Sequence, residues 1–516
     1  MLTYNLSAGK EPLYQKLYQN IKKDITSGKL SANEKLPSRR ALSENLGIST
    51  VTVDNAYDQL MDEGYIYALP KKGYFVSDIS LIAPAKAEAS AAKVSDKKSS
   101  KSATKPQKAQ KDQKGQKVPK TRKEEYTFDF SSNKPDQNSF PFSIWTKLMR
   151  ENLSERKEEL LSVSFCAGVY ELRSAIASYL ASFRGIYVSP DRVIIGAGTE
   201  YLYALLIKLL GKDKKYCIEN PGYRKLAMIY EQEGVEYCFA EMDKDGILIS
   251  DLIDKNPDVA HISPNHHFPT GITMPIARRS ALLNWAMEDN DRYIIEDDYD
   301  SEFRYRGAPI PPLMSIDKAG KVIYMNTFSK SLASTIRISY MVLPEQLADR
   351  FYETLAFYSC TVSTFDQYTL ADFIEKGYFE KHINRMRLKY KRKREEAISI
   401  IRKGTDASYA ELIENESGLY FILKLKSKYS DSEIKEKLKA HKIKISAISD
   451  YYMDDKDTED DDTEEKNLDV KNLEDKDAEN KKSAKESQGR FIVDYSNINL
   501  EELVRAVEIV NEVLAR

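Results

Sequence analysis

The sequence predicts an α/β protein in two parts, a small helix-rich N-terminal domain and a large C-terminal domain built around a mainly parallel sheet. Three observations predict this organisation. The chain has 516 residues, which is too long for one ordinary hydrophobic core. Residues 12–76 show three helical patterns followed by a short hairpin pattern. From residue 128 onward, strand patterns alternate with helix patterns, as in a parallel sheet covered by helices.

Composition favours an ordinary globular protein without a metal site. The chain is 41% hydrophobic and 31% charged, with a formal net charge of -2. Its four cysteines and five histidines show no ligand spacing, which predicts neither a disulfide framework nor a metal centre. No apolar run approaches the roughly 20 residues that cross a bilayer, and the N-terminus lacks the pattern of a signal peptide. We therefore expect a cytoplasmic protein.

Apolar spacing and capping residues predict the first two helices. Leu17, Ile21 and Ile25 recur at helical spacing. Ser38 has the side chain of an N-cap and precedes a second helical pattern at 39–46. Both helices are short and amphipathic, so they need a partner helix to bury their apolar faces.

A tight turn leads to a third helix, which begins after Ser49 and runs to about Glu63. Two helices in this arrangement form a helix-turn-helix, whose second helix presents its first residues to base edges in the major groove. A hairpin at 65–76 follows, and its basic tip can reach phosphates or the minor groove. The sequence therefore predicts a winged helix-turn-helix, with a plain helical bundle as the alternative.

Two segments have compositions that do not support a packed core. Residues 80–125 are rich in Ala, Lys, Ser and Gln, which predicts a flexible, disordered basic linker. Its lysines could add non-specific affinity for a polyanion, or the linker could simply be solvated. Residues 450–489 are acidic and predict a disordered insert between two strands, without the regular spacing of a cation site. The predicted domains are therefore 1–79 and 126–516.

The C-terminal domain contains apolar runs that predict buried strands. In such sheets ligands gather at the carboxyl ends of the strands. The strand candidates are 192–195, 216–218, 261–263, 293–295 and 322–325, with helix candidates at 199–210 and 223–233.

Lys330 lies in a setting that differs from that of an ordinary surface lysine. It follows a strand candidate and precedes Arg337, whose guanidinium suits a phosphate. Asp297 follows another buried strand, where a carboxylate needs a charged partner. The turn from Gly196 to Thr199 opens a helix, whose N-terminus can also bind phosphate. A lysine, a phosphate clamp and a carboxylate for a pyridine nitrogen together predict pyridoxal 5'-phosphate (PLP).

Three strings in the N-terminal domain carry a family resemblance. They lie at 36–39, 46–49 and 56–64. In this order they resemble the GntR family of bacterial transcription regulators, which implies binding to double-stranded DNA. By this resemblance the DNA-binding residues are Arg39, Arg40, Ser49, Thr50, Thr52, Lys72 and Gly73, the last two at the tip of the wing.

The C-terminal domain resembles fold-type I aminotransferases, with large and small subdomains. The supporting strings lie at 140–145, 172–180, 219–223, 266–271, 296–303, 327–330 and 382–387. Together with the N-terminal motifs, they make the whole chain resemble the MocR-type (GabR/PdxR-like) subfamily of GntR regulators. Only the linker and the acidic insert fall outside this resemblance.

The resemblance implies specific roles around the cofactor. Lys330 would form the internal aldimine and be the catalytic residue, Asp297 would pair with the pyridine nitrogen, and Tyr299 would approach the phenolic oxygen. Arg490 would bind the carboxylate of an amino-acid effector, with a structural ion pair as the alternative. The full cofactor-binding set is Lys330, Asp297, Tyr299, Tyr223, Gly198, Thr199, Thr327, Ser329, Arg337 and His266.

Three positions depart from the pattern of the subfamily. His267 stands where glutamine is usual, Ser339 replaces a glycine, and Lys225 occupies a place where some members have an effector-binding arginine. These departures leave the identity of the effector undecided, but they do not change the residues expected to bind the cofactor.

The combined features predict a PLP-dependent transcriptional regulator that senses PLP or an amino compound. We expect a homodimer, arranged head to tail, that binds repeated DNA half-sites. An active aminotransferase with an appended DNA-binding domain is the first alternative, since Lys330 could serve as a proton-transfer base. The second is a DNA-binding protein whose C-terminal domain has lost the cofactor and serves only in dimerisation.

Overall fold

The computed structural model describes residue 4 and residues 12–69, 72–77, 126–131, 139–305, 310–405, 409–413, 417–453 and 488–515. The predicted linker at 80–125 and most of the predicted acidic insert at 450–489 lie outside the described residues. In the part of the chain that is described, no helix is both long and apolar enough to cross a bilayer.

Three helices and a hairpin form the N-terminal domain, which confirms the predicted winged helix-turn-helix. They are α1 (Leu13–Thr26), α2 (Arg39–Leu46), α3 (Thr50–Asp62), β1 (Ile66–Leu69) and β2 (Gly73–Val76). Both predicted caps are present: the Ser38 side chain accepts from the Ala41 N–H at 3.2 Å, and Ser49 accepts from the Thr52 N–H at 3.1 Å. Gly47 makes the turn between α2 and α3 with a left-handed φ of 65°.

The core of this domain lies between α1 and α3. Leu17, Ile21, Val53, Tyr57 and Leu60 are fully buried. Burial of such a side chain contributes roughly 1.5–3 kcal/mol, so these residues hold α3 firmly against α1. The opposite face of α3 remains available for DNA.

An eight-stranded sheet forms the large subdomain. Its strands are β4 (Val193–Gly196), β5 (Tyr216–Asn220), β6 (Tyr237–Asp243), β7 (Gly246–Ile247), β8 (Val259–Ile262), β9 (Tyr293–Asp297), β10 (Val322–Thr327) and β11 (Ser339–Val342). Their order is β4-β11-β10-β9-β8-β5-β6-β7. Only β11 and β7 run antiparallel to their neighbours, so the predicted mainly parallel sheet is confirmed.

Helices cover both faces of this sheet, and apolar cores fill the space on each side. The strands are almost continuously apolar because both of their faces are buried. The helices are α4 (Phe142–Glu155), α5 (Lys157–Leu161), α6 (Tyr170–Arg184), α7 (Thr199–Leu210), α8 (Arg224–Glu233), α9 (Ile249–Lys255), α10 (Ile276–Met287), α11 (Leu313–Ile316), α12 (Phe328–Ser331), α13 (Glu345–Thr354) and α14 (Thr364–Glu375).

The small subdomain is built on a four-stranded antiparallel sheet of order β12-β13-β16-β15, next to the parallel pair β14 and β3. Helices α15 and α17 pack on each other beside it. The elements are β3 (Phe128–Asp129), α15 (Tyr378–Gly404), β12 (Ala410–Ile413), β13 (Tyr420–Leu425), α16 (Asp431–Ala440), β14 (Ile443–Lys444), β15 (Ser446–Ala447), β16 (Arg490–Asp494) and α17 (Leu500–Ala515).

The N-terminal domain packs on the large subdomain through the C-terminal end of α3. Asp62 forms an ion pair with Arg304 at 2.6 Å, and the Glu63 carbonyl accepts from the Ile276 N–H at 3.1 Å. A Cβ on Gly64 would lie 2.7 Å from the Pro275 Cβ, so only glycine allows this close approach. The helix that carries the predicted DNA contacts is therefore attached to the C-terminal domain at its far end.

Candidate functional site

A cavity of about 520 Å³ lies between the carboxyl ends of the large sheet and the small subdomain. It is lined by the predicted cofactor residues except Gly198 and His266. On one side is the Arg337 wall, formed by Thr199, Glu200, Thr327, Ser329 and Arg337. On the other is the Asp494 wall, formed by Tyr420, Ser446, Tyr451, Ile492 and Asp494.

The Arg337 wall gathers donors at the N-terminus of α7. Gly198 precedes this helix with a φ of 94°, and a Cβ there would lie 2.1 Å from the Arg337 guanidinium. The Ser339 hydroxyl donates to the Thr327 hydroxyl at 2.8 Å, which in turn donates to Ser329 at 2.9 Å. Free amides, hydroxyls and a guanidinium are the groups that bind phosphate in proteins.

Glu200 is an acidic member of this wall that the sequence did not single out. Its carboxylate accepts hydrogen bonds from Arg337 and, at 2.5 Å, from Lys225. Burial opposes its ionisation, but the hydrogen bonds from Lys225 and Arg337 lower the pKa of Glu200 to about 2. Glu200 therefore remains charged and holds both cations at the entrance to the phosphate-binding groups.

Asp297 is the last residue of β9, and only one of its two carboxylate oxygens has a hydrogen-bond partner among the described residues. Its Oδ2 accepts from the Tyr203 hydroxyl at 2.5 Å and lies 3.9 Å from His261 Nε2. Its Oδ1 is buried and has no hydrogen-bond partner among the described residues. A buried carboxylate oxygen without a partner is costly, and a protonated pyridine nitrogen would satisfy it.

Lys330 lies on the short helix α12 directly after β10. Burial lowers the pKa of its ammonium group, while the negative charges of Asp494 and Asp300 oppose this shift. A lysine with a lowered pKa is a better nucleophile, because more of it is the free amine at neutral pH.

His266 lies behind the cavity and does not line it. Its Nδ1 is 2.8 Å from Asp300 Oδ2 and 3.4 Å from the Tyr299 hydroxyl. Its ring stacks on Tyr420, with 4.9 Å between centroids. The structure therefore places His266 as a support for Tyr299 and Tyr420, which both line the cavity. Tyr223 lines the cavity and is 46% exposed.

Arg490 does not line the cavity. It begins β16 and pairs with Lys424 of β13, whereas Ile492 pairs with Ile422 and Asp494 with Tyr420. These three residues of β16 share one face of the strand, but only Ile492 and Asp494 reach the cavity. The lining therefore contains the apolar side chain of Ile492 and the carboxyl group of Asp494, and not the Arg490 guanidinium that was expected to bind an effector carboxylate.

Sequence reasoning missed several residues of the site. Tyr203 lies one helical turn after the predicted Thr199, so helical spacing could have indicated it. Asp494 could have been indicated by strand alternation, had the register of β16 been known. Glu219 and His261 each lie one residue before the end of a strand, β5 and β8, but a lone acidic or histidine residue there gives no distinct signal.

The predicted DNA-binding residues fall into two groups. Arg39 forms ion pairs with Asp54 at 3.4 Å and Asp58 at 2.6 Å, and its guanidinium lies over the Tyr74 ring. It thereby joins α2, α3 and β2. The second group lies at the surface or at the start of α3, and consists of Arg40, Ser49, Thr50, Thr52, Lys72 and Gly73. The neighbouring Lys71 lies outside the described residues.

Two family models match the chain. One is described as "Bacterial regulatory proteins, gntR family" and matches residues 13–76. The other is described as "Aminotransferase class I and II" and matches residues 126–459.

Several curated relatives match this chain over most of their length. The chain is 36% identical to the uncharacterized HTH-type transcriptional regulator YdeL of Bacillus subtilis, covering 85% of this chain and 89% of the relative. It is 30% identical to the probable rhizopine catabolism regulatory protein MocR of Rhizobium meliloti, covering 85% and 87%. The pyridoxine biosynthesis transcriptional regulator PdxR of Corynebacterium glutamicum is 28% identical, and the match covers 73% of this chain and 76% of the length of PdxR.

Solved structures establish the fold of the C-terminal domain. Kynurenine aminotransferase from Pyrococcus horikoshii has a TM-score of 0.60 at 20% identity, covering 75% of this chain and 90% of the enzyme. A multiple substrate aminotransferase from Thermococcus profundus has a TM-score of 0.60 at 21% identity, covering 75% and 91%. With its GntR helix-turn-helix joined to an aminotransferase-like domain, this chain belongs to the MocR-type family of GntR transcriptional regulators.

Proposed function

We propose that the C-terminal domain of this regulator binds PLP, and that an amine entering the cavity changes the affinity of a cytoplasmic homodimer for repeated half-sites of double-stranded DNA. One observation carries the proposal: Asp297, whose buried Oδ1 has no hydrogen-bond partner among the described residues, lines the same cavity as Lys330 and Arg337. Asp297 needs a cationic hydrogen-bond donor, Lys330 can bind an aldehyde covalently, and Arg337 can bind a phosphate.

Different side chains of the cavity would bind different parts of the cofactor. Lys330 would hold it covalently, Asp297 would accept from its pyridine nitrogen, and Tyr299 would donate to its phenolic oxygen. Tyr223 would line the ring. The phosphate would lie at the Arg337 wall, bound by Gly198, Thr199, Thr327, Ser329 and Arg337. When bound, PLP supplies an electrophilic carbon for primary amines and a ring that withdraws electrons.

Contacts beyond the Asp494 wall connect the cavity with the DNA-binding domain. Gly418 precedes Tyr420 of β13, and its N–H donates to the Phe303 carbonyl at 2.9 Å. The next residue, Arg304, is 6% exposed and forms the ion pair with Asp62 of α3. We infer that movement of the small subdomain on ligand binding reaches the DNA-contacting helix through this ion pair.

Covalent labelling tests the proposal directly. Full-length protein is incubated with PLP, treated with borohydride and digested, and the adduct is located by mass spectrometry. We expect an adduct on Lys330, its loss in Lys330→Ala, and an unchanged adduct in the exposed control Lys157→Ala. Fluorescence anisotropy with operator DNA then measures the response to amines. Absence of both the adduct and a visible cofactor band in the wild-type protein would end the proposal.

Catalytic transamination is the competing activity. The lowered pKa of Lys330 would also suit a proton-transfer base. Turnover of an amino donor with a 2-oxo acid at ordinary enzyme rates, without any change in DNA affinity, would favour that alternative.

A further inference from the structure

The Asp494 wall differs in chemistry from a site for an amino-acid carboxylate. Ile492 packs with Tyr420, Ile422 and Ile448 in an apolar cluster, against which Phe268 also packs. An anionic group placed against these apolar side chains would lose its water without meeting an opposite charge.

The cationic side chains in the described lining have other partners. Under the proposed function, Lys330 holds the cofactor and Arg337 holds its phosphate. Burial lowers the pKa of His267 to about 3, so its ring is neutral at physiological pH. Lys225 does not line the cavity and is bonded to Glu200, and Arg490 lies beyond the lining.

Four carboxyl groups line the cavity: Glu200 is paired with Arg337 and Lys225, Asp297 is assigned to the cofactor ring, and Asp494 and Glu219 remain. Asp494 is 5% exposed, and its Oδ1 accepts from the Ser496 N–H at 2.7 Å and the Ser496 hydroxyl at 2.5 Å. Glu219 accepts from the Ser263 N–H at 2.8 Å and lies 3.5 Å from His267 Nε2. Burial raises the pKa of Glu219 to about 8 and that of Asp494 to about 7, so both carboxyl groups hold a proton more strongly than they would in water. Asp494 lies on the same face of β16 as Ile492, so it is the carboxyl group that a second ammonium group would meet at this wall.

We propose, resting on the proposed function, that the effector is a primary amine without a carboxylate, with its far end against Ile492 and Asp494. An alkyl end would pack on the apolar cluster, and a second amino group would reach Asp494. An amino acid of the same length would place its carboxylate beside Asp494, where both desolvation and repulsion oppose binding.

Three ligands with one carbon skeleton test the proposal: butylamine, 1,4-diaminobutane and 4-aminobutyrate. Each is titrated into PLP-loaded full-length protein, with the cofactor absorbance and the DNA anisotropy as independent readouts. We expect both carboxylate-free amines to bind at least about tenfold more tightly than 4-aminobutyrate, which corresponds to one buried unfavourable charge. Equal or tighter binding of 4-aminobutyrate overturns the proposal, and so does the absence of any spectral response to all three ligands.

Two variants locate the preference within the cavity. Asp494→Asn keeps the shape of the side chain and should remove any advantage of 1,4-diaminobutane over butylamine. Ile492→Arg should shift the preference towards 4-aminobutyrate, and the cofactor band reports whether this larger side chain is tolerated. If Asp494→Asn leaves all three affinities unchanged, Asp494 does not contact the far end of the ligand and the assignment is wrong.

The cofactor band separates failure of this proposal from failure of the proposed function. A protein without the band does not carry PLP, and the proposed function itself fails. A protein that has the band but prefers 4-aminobutyrate remains a PLP-binding regulator, and only the inferred effector class fails.

Discussion

The two walls of the cavity belong to different parts of the fold. The Arg337 wall consists of residues that follow strands β4 and β10 and of the loop after α12, so it belongs to the eight-stranded sheet of the large subdomain. The Asp494 wall consists of strands β13 and β16 and the segment around β15, so it belongs to the small subdomain. We expect the Arg337 wall to hold the cofactor and the Asp494 wall to follow any movement of the small subdomain.

The two walls also differ in how they are connected to the DNA-binding domain. Arg304, which contacts Asp62 of α3, forms an isolated bridge with Ser417 just before β13. The Asp494 wall is therefore connected to the N-terminal domain through a few short contacts. Substitutions in the two walls should have different consequences: loss of the cofactor on one side, and altered selectivity or signalling on the other.

The largest effect is expected at the Arg337 wall. Arg337→Ala removes the guanidinium that we propose to bind the phosphate. Hydrogen bonds between charged groups contribute roughly 1.5–3 kcal/mol, so PLP affinity should fall roughly 10- to 100-fold. Equilibrium titration with PLP, followed by absorbance, measures this change.

A matched control lies on the other side of Glu200. Lys225 donates to the same carboxylate as Arg337 but does not line the cavity. Lys225→Ala should therefore change PLP affinity much less than Arg337→Ala. If both variants lose PLP equally, the role of Arg337 is to neutralise Glu200 and not to bind phosphate.

The residues of the Arg337 wall lie in short strings next to strands, so the sequence could indicate that most of them lie close together. Lys330 and Thr327 are neighbours in the chain, and the end of a buried strand fixes where they point. Asp297 and Thr199 likewise follow their strands directly. Local patterns are sufficient when both the strand and the functional residue belong to one segment.

The Asp494 wall could not be predicted in the same way. Arg490 was assigned by resemblance, but the register of β16 against β13 decides which residues reach the cavity, and that register is a tertiary property. The acidic segment before β16 separates it in the chain from the rest of the sheet. In the N-terminal domain the caps at Ser38 and Ser49 were local and predictable, whereas the attachment of Arg39 to Asp54 and Asp58 needed the packed structure.

A smaller effect is expected at the link between the Asp494 wall and α3. Asp62→Asn removes the charge that pairs with the buried Arg304, so movement of the small subdomain would no longer be transmitted to α3. The coupling free energy between two such sites is typically about 1–3 kcal/mol, and we expect most of it to be lost. DNA affinity measured with and without saturating butylamine gives this quantity.

Glu288→Gln provides the control for that experiment. Glu288 pairs with Arg292 at 3.3 Å on an exposed surface, where ion pairs contribute little. This variant should retain the full response to the amine. A response in Asp62→Asn equal to that of Glu288→Gln would show that the signal takes another route.

The smallest effect is the pH dependence of the Asp494 wall. Burial raises the pKa of Asp494 to about 7, against the positive charges of Lys330 and Lys393, which lower it. Between roughly pH 4 and 7 the folded chain keeps a proton that the unfolded chain releases, so this carboxyl reduces the free energy of unfolding as the pH rises through that window.

Ionisation of Asp494 should also favour a second ammonium group on the ligand. The advantage of 1,4-diaminobutane over butylamine should grow about two- to fivefold from about pH 6 to about pH 8, since a partly screened ion pair contributes about 0.5–1 kcal/mol. Comparing the two amines cancels the titration of their shared reacting group, and Asp494→Asn separates Asp494 from Glu219, whose pKa of about 8 overlaps the same range. An advantage that is constant with pH, or that still grows with pH in Asp494→Asn, would place the second ammonium group away from Asp494 and leave Ile492 as the only basis of selectivity in this wall.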